Sequence, residues 1–117
     1  TVVEKYNPKL DGSFVELDKN VVTDWIHKKV RPADFTIEDK FKTVNIHKFN
    51  RIFFEQVLKP TLKKHVDEKS GTETIEYIMQ DIVRNGSSKV HAFEVGKLKW
   101  FEIDDVNELK IAEEIFR

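Results

Sequence analysis

Partway along this chain the spacing of apolar residues changes from two to about 3.6, and that switch restricts it to a mixed α/β architecture. The first third alternates as a sheet does, in Val2-Val3-Glu4-Lys5-Tyr6, Ser13-Phe14-Val15-Glu16-Leu17 and Val21-Val22-Thr23-Asp24-Trp25-Ile26, with turns at Asp11-Gly12 and Lys19-Asn20. This pattern predicts an N-terminal antiparallel meander. Residues 31–40 contain Pro32 and many charges and read as a loop, and the stretch from Lys42 to Phe49 reads as a further strand stopped by Asn50, a good helix cap. Helical spacing then takes over in Ile52, Phe53, Val57, Leu58 and Leu62, where Pro60 should kink or divide the helix. A second helix carries Ile75, Ile78, Met79, Ile82 and Val83 and ends at Asn85-Gly86. Strand patterning resumes over 89–95 and 98–103, interrupted at Gly96-Lys97, before a last helix with Val106, Leu109, Ile111, Ala112, Ile115 and Phe116 on its apolar face.

At 117 residues the chain fits one domain and can bury a core without covalent staples. Lysine and arginine total 20 against 21 acidic residues, so no net field draws the molecule to nucleic acid or to an anionic membrane. The absence of cysteine excludes disulfides, thiolate metal sites and a cysteine nucleophile, and fits a reducing cytoplasm. No apolar run reaches the roughly 20 residues that span a bilayer. His27, His47, His65 and His91 are scattered, without metal spacing or a serine partner, and read as structural or surface groups. The pairs Lys28-Lys29 and Lys63-Lys64 read as solvated faces, and Asp67 and Glu68 oppose a nucleic-acid role.

The block from Lys99 to Leu109 stands apart. An apolar segment ends in carboxylates where a helix begins, a place suited to holding a divalent cation. Asp105 and Glu108 have capping-box spacing and so are accounted for by the helix start, which leaves Glu102 and Asp104 to be explained. Exposed carboxylates usually do nothing more than meet water. Trp25 and Trp100 are by default core anchors, and a ligand role for either requires an exposed ring face.

The run Phe41-Lys42-Thr43-Val44-Asn45-Ile46-His47-Lys48-Phe49, taken with Lys99-Trp100-Phe101-Glu102-Ile103-Asp104-Asp105 and Leu109-Lys110-Ile111-Ala112-Glu113, resembles the C-terminal half of bacterial nucleotidyltransferases of the choline-phosphate cytidylyltransferase and sugar-phosphate types. Asp11-Gly12-Ser13-Phe14-Val15 also resembles the substrate-side meander of that family, and the W-x-E-I-D-D block is the most specific match. The resemblance implies a GT-A-like, mostly parallel sheet between helices, here with three to four helices. It implies Mg²⁺-dependent transfer of a nucleotidyl group, CMP from CTP, to a phosphocholine-like or phosphonate acceptor, with release of pyrophosphate. On that reading Asp104 is a metal carboxylate, and Glu102 fixes Asp104 or meets a cationic substrate head. Lys28, Lys29 or Lys42 holds phosphate, with Lys42 and Lys28 as the catalytic candidates, and Trp100, Asn45 and Glu102 face substrate. The glycine-rich loop that cradles a triphosphate is missing, since the glycines are Gly12, Gly71, Gly86 and Gly96. The 117 residues therefore read as one domain or a fragment, the substrate and metal side of such an enzyme, inactive alone. The alternative is a non-catalytic ligand-binding or dimerising α+β module, whose last helix offers an apolar face to a second copy.

Overall fold

The computed structural model describes residues 1–7, 10–69, 71 and 73–117. It is a mixed α/β fold built on a five-stranded sheet. The strands are β1 (Val2–Lys5), β2 (Phe14–Asp18), β3 (Val21–Ile26), β4 (Phe41–Thr43) and β5 (Phe93–Glu94), in the order β3-β2-β4-β1-β5. The β2–β3 hairpin forms as its alternation and its Lys19-Asn20 turn predict. The three-strand meander does not. β4 inserts between β1 and β2, pairing antiparallel to both through Val3↔Thr43 and Phe14↔Lys42. Hairpin adjacency requires a tight connection, whereas the chain between β1 and β2 is long enough to admit a strand from elsewhere. The sheet is also not mostly parallel, since among the described residues only β1 and β5 run parallel.

Alternation sorts the side chains of the sheet onto two faces. Val3, Val15 and Trp25 lie on the helix-covered face and pack with Leu58, Ile78, Met79 and Ile82 into a continuous core. Lys42 shares the other face with its cross-strand partners Phe14 and Glu4.

The helical region is continuous through Pro60. α1 (Arg51–Phe53) passes into a π-helical turn (Phe54–Leu58) and then α2 (Lys59–Lys69). The wider turn falls just ahead of the proline, where the ordinary helical ladder has to absorb a missing donor and a bulky ring, so the helix is locally rewound and not divided. Asn50 caps it, its side chain accepting the Phe53 N–H at 2.8 Å. α3 (Ile75–Arg84) follows and ends at Gly86 with φ 62°, a left-handed stop that glycine takes without strain. His65 joins α2 to α3, one ring nitrogen meeting Glu73 and the other Asp81 Oδ2 at 2.8 Å. α4 (Val106–Phe116) closes the chain. Among the described residues no helix is long and apolar enough to cross a membrane.

Three predicted strands are shorter or absent. After Thr43 the chain leaves the sheet, and Asn45 takes the left-handed conformation with φ 59°, which asparagine tolerates. Among the described residues, 98–103 run without a strand partner, and 89–95 contribute only the two-residue β5 and a bridge at His91. Apolar alternation marks a surface that could be covered, but a strand also needs an accessible edge, and β5 already takes the edge beside β1.

Candidate functional site

Where the end of β4 meets the residue 100–108 segment, a cleft of about 350 Å³ opens. Its walls are Leu10, Asp11, Gly12, Lys28, Lys42, Asn45, Glu76, Trp100, Phe101, Glu102, Asp104 and Glu108. Six residues that the resemblance singles out as site candidates, Lys28, Lys42, Asn45, Trp100, Glu102 and Asp104, line this one cleft. Lys29 does not line it and stands exposed on the surface.

Lys42 is the most unusual member. A lysine in an inner strand is 2% exposed, and its ammonium donates to the Thr43 carbonyl while lying 3.4 Å from Glu102 Oε2. Buried lysines need such compensation because desolvation penalises the charged form. Room for the ammonium comes from Gly12, whose φ is 116°. A Cβ there would stand 2.8 Å from Lys42 Cε and 3.1 Å from Nζ. Gly12 is itself fastened from outside, its carbonyl accepting from Arg31, whose guanidinium also reaches Asp11 Oδ1 at 2.9 Å and lies 5.2 Å from the Phe14 ring centroid. Lys28 completes that cluster by pairing with Asp11. Burial tends to raise the Asp11 carboxyl, but hydrogen bonds from Lys28, the Gly12 N–H and Arg31 outweigh it and hold the group down to about 2.

Glu102 faces inward between two donors, with Oε1 accepting from Asn45 Nδ2 at 2.6 Å and Oε2 near Lys42. Its partners are therefore Lys42 and Asn45, and among the described residues no bond ties it to Asp104. Asp104 is exposed, and its backbone N–H donates to Glu108 Oε2 at 2.6 Å, while among the described residues no hydrogen bond or ion pair engages its carboxylate. Its carboxylate is left open to the cleft. Asp105 and Glu108 form the capping box read from the sequence, with Asp105 Oδ1 accepting from Asn107 at 2.7 Å and Glu108 at 2.9 Å. Among the described residues no group of three histidine, cysteine, aspartate or glutamate side chains is placed to hold a metal unaided. Trp25 is fully buried in the core and offers no ring face to a ligand, whereas Trp100 is half-buried against the cleft.

Sequence reasoning missed two residues of the cleft that matter to its chemistry. Gly12 appears in the sequence as an ordinary turn glycine, and nothing local shows that a lysine from a distant strand would occupy the space beside it. Glu76 appears as a solvated first-turn acid of α3, yet it is 15% exposed, accepts from Thr43 Oγ1 at 3.0 Å and stands 3.8 Å from His27 Nε2. His27 lies at 3.8 Å stacked on Tyr77, and its Nδ1 accepts the Lys29 N–H at 3.2 Å, so the neutral ring carries its proton on Nε2 toward Glu76. Burial lowers the His27 imidazole below its ordinary value, against an opposing pull from Glu76.

No family model matches the chain, and no solved structure matches it. Among curated proteins it is similar to the CMP-5'-(3-aminopropyl)phosphonate synthase of Streptomyces rubellomurinus (strain ATCC 31215), with 23% identity over 105 residues, covering 89% of this chain and 17% of that protein. The chain thus spans about a sixth of the length of the relative it matches.

Proposed function

We propose that this chain supplies the acceptor side of a nucleotidyl-transfer site. The reaction moves CMP from CTP to a small phosphate or phosphonate, with the nucleotide side coming from outside these 117 residues. The observation that carries the reading is the convergence of Lys42, Asn45, Glu102, Asp104, Trp100 and Lys28 on one cleft around a buried ammonium. The similarity to a CMP-phosphonate synthase supports the same class.

In the proposed step an acceptor oxygen attacks the α-phosphorus of CTP, the bond from that phosphorus to the bridging oxygen breaks, and pyrophosphate leaves. Such transfer is accelerated mainly by positioning and by neutralising charge on phosphoryl oxygens. Lys42, fixed by Glu102, the Thr43 carbonyl and the close approach of Gly12, offers a pre-oriented cation to the acceptor's phosphoryl oxygens. Lys28, paired with Asp11 on the same cleft, adds a second, exposed one. Asn45 and Glu102 brace each other, so that Glu102 orients Lys42 and does not contact the metal. The open Asp104 carboxylate fits Mg²⁺, an oxygen-seeking ion that commonly takes one or two protein carboxylates and fills its sphere with water and substrate phosphates. Bound there, it would polarise the phosphoryl oxygens and neutralise their charge. Trp100 presents its half-buried ring as an apolar wall for the acceptor's carbon chain.

The test is binding of propylphosphonate to the 117-residue chain, followed by NMR. Shifts confined to the cleft, abolished in Lys42→Met, are expected. Equal binding by Lys42→Met would overturn the reading. In a protein that turns over CTP, Asp104→Asn should abolish Mg²⁺-supported pyrophosphate release while the fold survives, and an unchanged rate would remove Asp104 from the mechanism.

A further inference from the structure

The carboxylates of the cleft are not equivalent. Asp11 is neutralised by Lys28 and Arg31, and Glu102 by Lys42 and Asn45. Glu108 is occupied at the helix start, and Asp104 stands in solvent. Glu76 alone among them is largely buried with no lysine or arginine within ion-pair distance among the described residues. Its two neighbours are weak compensation. The Thr43 hydroxyl has a single proton to share between Glu76 Oε1 at 3.0 Å and the Ser13 carbonyl at 3.2 Å, and His27 holds Nε2 at 3.8 Å. A carboxylate removed from water without a cation is costly, and the cost is relieved when a ligand supplies one.

We propose that Glu76 is the cation-recognising group of the cleft and selects an acceptor carrying a primary ammonium in addition to its phosphate or phosphonate. This rests on the nucleotidyl-transfer reading and goes further by naming the residue and the chemistry of the second recognition point. Primary is favoured over quaternary because Glu76 recognises through hydrogen bonds, for which a quaternary ammonium has no donor. A quaternary group relies instead on enclosing aromatic faces, and the cleft provides only Trp100 and Phe101. Lys42 and Glu76 belong to the same cavity, so a short zwitterion can meet both at once. A ligand of that kind leaves the cleft's own ion pairs intact.

The experiment compares propylphosphonate, 3-aminopropylphosphonate and phosphocholine on the parent chain and on Glu76→Gln, an isosteric change that keeps an acceptor for Thr43. The amine should tighten binding to the parent about tenfold or more over propylphosphonate, the scale of a charge-assisted hydrogen bond, and Glu76→Gln should erase that gain, so that the two ligands bind the variant with equal affinity. If propylphosphonate binds but the amine adds nothing, or if the gain survives in Glu76→Gln, the Glu76 assignment falls while the wider reading stands. If propylphosphonate itself fails to bind at Lys42, the wider reading falls and takes this one with it. Tighter binding of phosphocholine than of the primary amine overturns the selectivity. The parent chain gives a second readout that needs no variant. An ammonium beside Glu76 cancels the charge that pulls the His27 imidazole upward, so its NMR titration should move lower with 3-aminopropylphosphonate and not with propylphosphonate. An unmoved titration overturns the assignment.

Discussion

The two sides of the cleft are built in opposite ways. On one side β1–β4 and α3 bury Val3, Val15, Trp25, Ile78, Met79 and Ile82 almost completely, and from that frame Lys42 and Glu76 project with little freedom. On the other, residues 98–117 bury Ala112 and little else, and Leu98, Ile103, Val106, Leu109 and Phe116 are left facing solvent. This second wall is held by local devices: the capping box at Asp105 and Glu108, Lys99 donating to the Ile115 carbonyl at 3.0 Å, and the reach of Glu102 to Asn45 and Lys42. The cleft thus has one rigid wall that fixes where charge sits and one sparsely packed, adjustable wall of the kind expected at the low-stability end of a fold.

The strongest way to break this comparison is to cut into the rigid wall. Trp25→Ala removes a fully buried ring from the centre of the core and should cost about 3–5 kcal/mol in urea unfolding. A loss under about 1 kcal/mol would mean that the sheet is no better packed than the C-terminal wall.

Acid should act on the same side. His47, packed between the Trp25 and Phe49 rings, is pushed below its ordinary value first by burial and then by the N-terminal ammonium, and His27 is lowered by burial as well. An imidazole that resists protonation when folded takes its proton more readily when unfolded. The unfolded chain then binds more protons, and stability is full above about pH 6.5 and declines as pH falls below it. Urea midpoints at about pH 7.5 and about pH 5.5 check this, with His47→Phe flattening the dependence. A flat profile in the parent would show that these rings are hydrated, and the wall around them looser than its burial indicates.

What could be read in advance divides along the range over which it is encoded. The Asn50 cap, the Gly86 stop and the Asp105/Glu108 box each depend on residues within a turn of one another, and each forms as its spacing predicts. The position of β4 between β1 and β2 depends on partners far apart in sequence, which no local pattern specifies, and the same is true of the partnerless run at 98–103. Pro60 misleads because a proline's cost can be absorbed by rewinding the turn ahead of it. At the cleft, the composition of one wall was accessible through the Trp100–Asp104 block, whereas the burial of Lys42 was not, since a lysine among strand residues reads as an outward-facing position. Gly12 and Glu76 acquire their importance only from what tertiary structure places beside them.

The smallest expected effect comes from the adjustable wall, and it sharpens the comparison most. Asp105→Ala removes the side chain that accepts from Asn107 and Glu108, which for a helix cap costs about 1 kcal/mol. With most of α4's apolar face in water, that loss has little packing to spread through. It should therefore appear as about fivefold faster amide exchange over residues 107–111, with the exchange of α3 unchanged. Leu109→Ala, on the exposed apolar side of the same helix, should shift global stability by no more than about 0.5 kcal/mol. If Leu109→Ala instead costs as much as a core truncation, α4 is packed in solution against a surface absent from the folded monomer. A midpoint that rises with protein concentration would then identify that surface as a second copy of the chain.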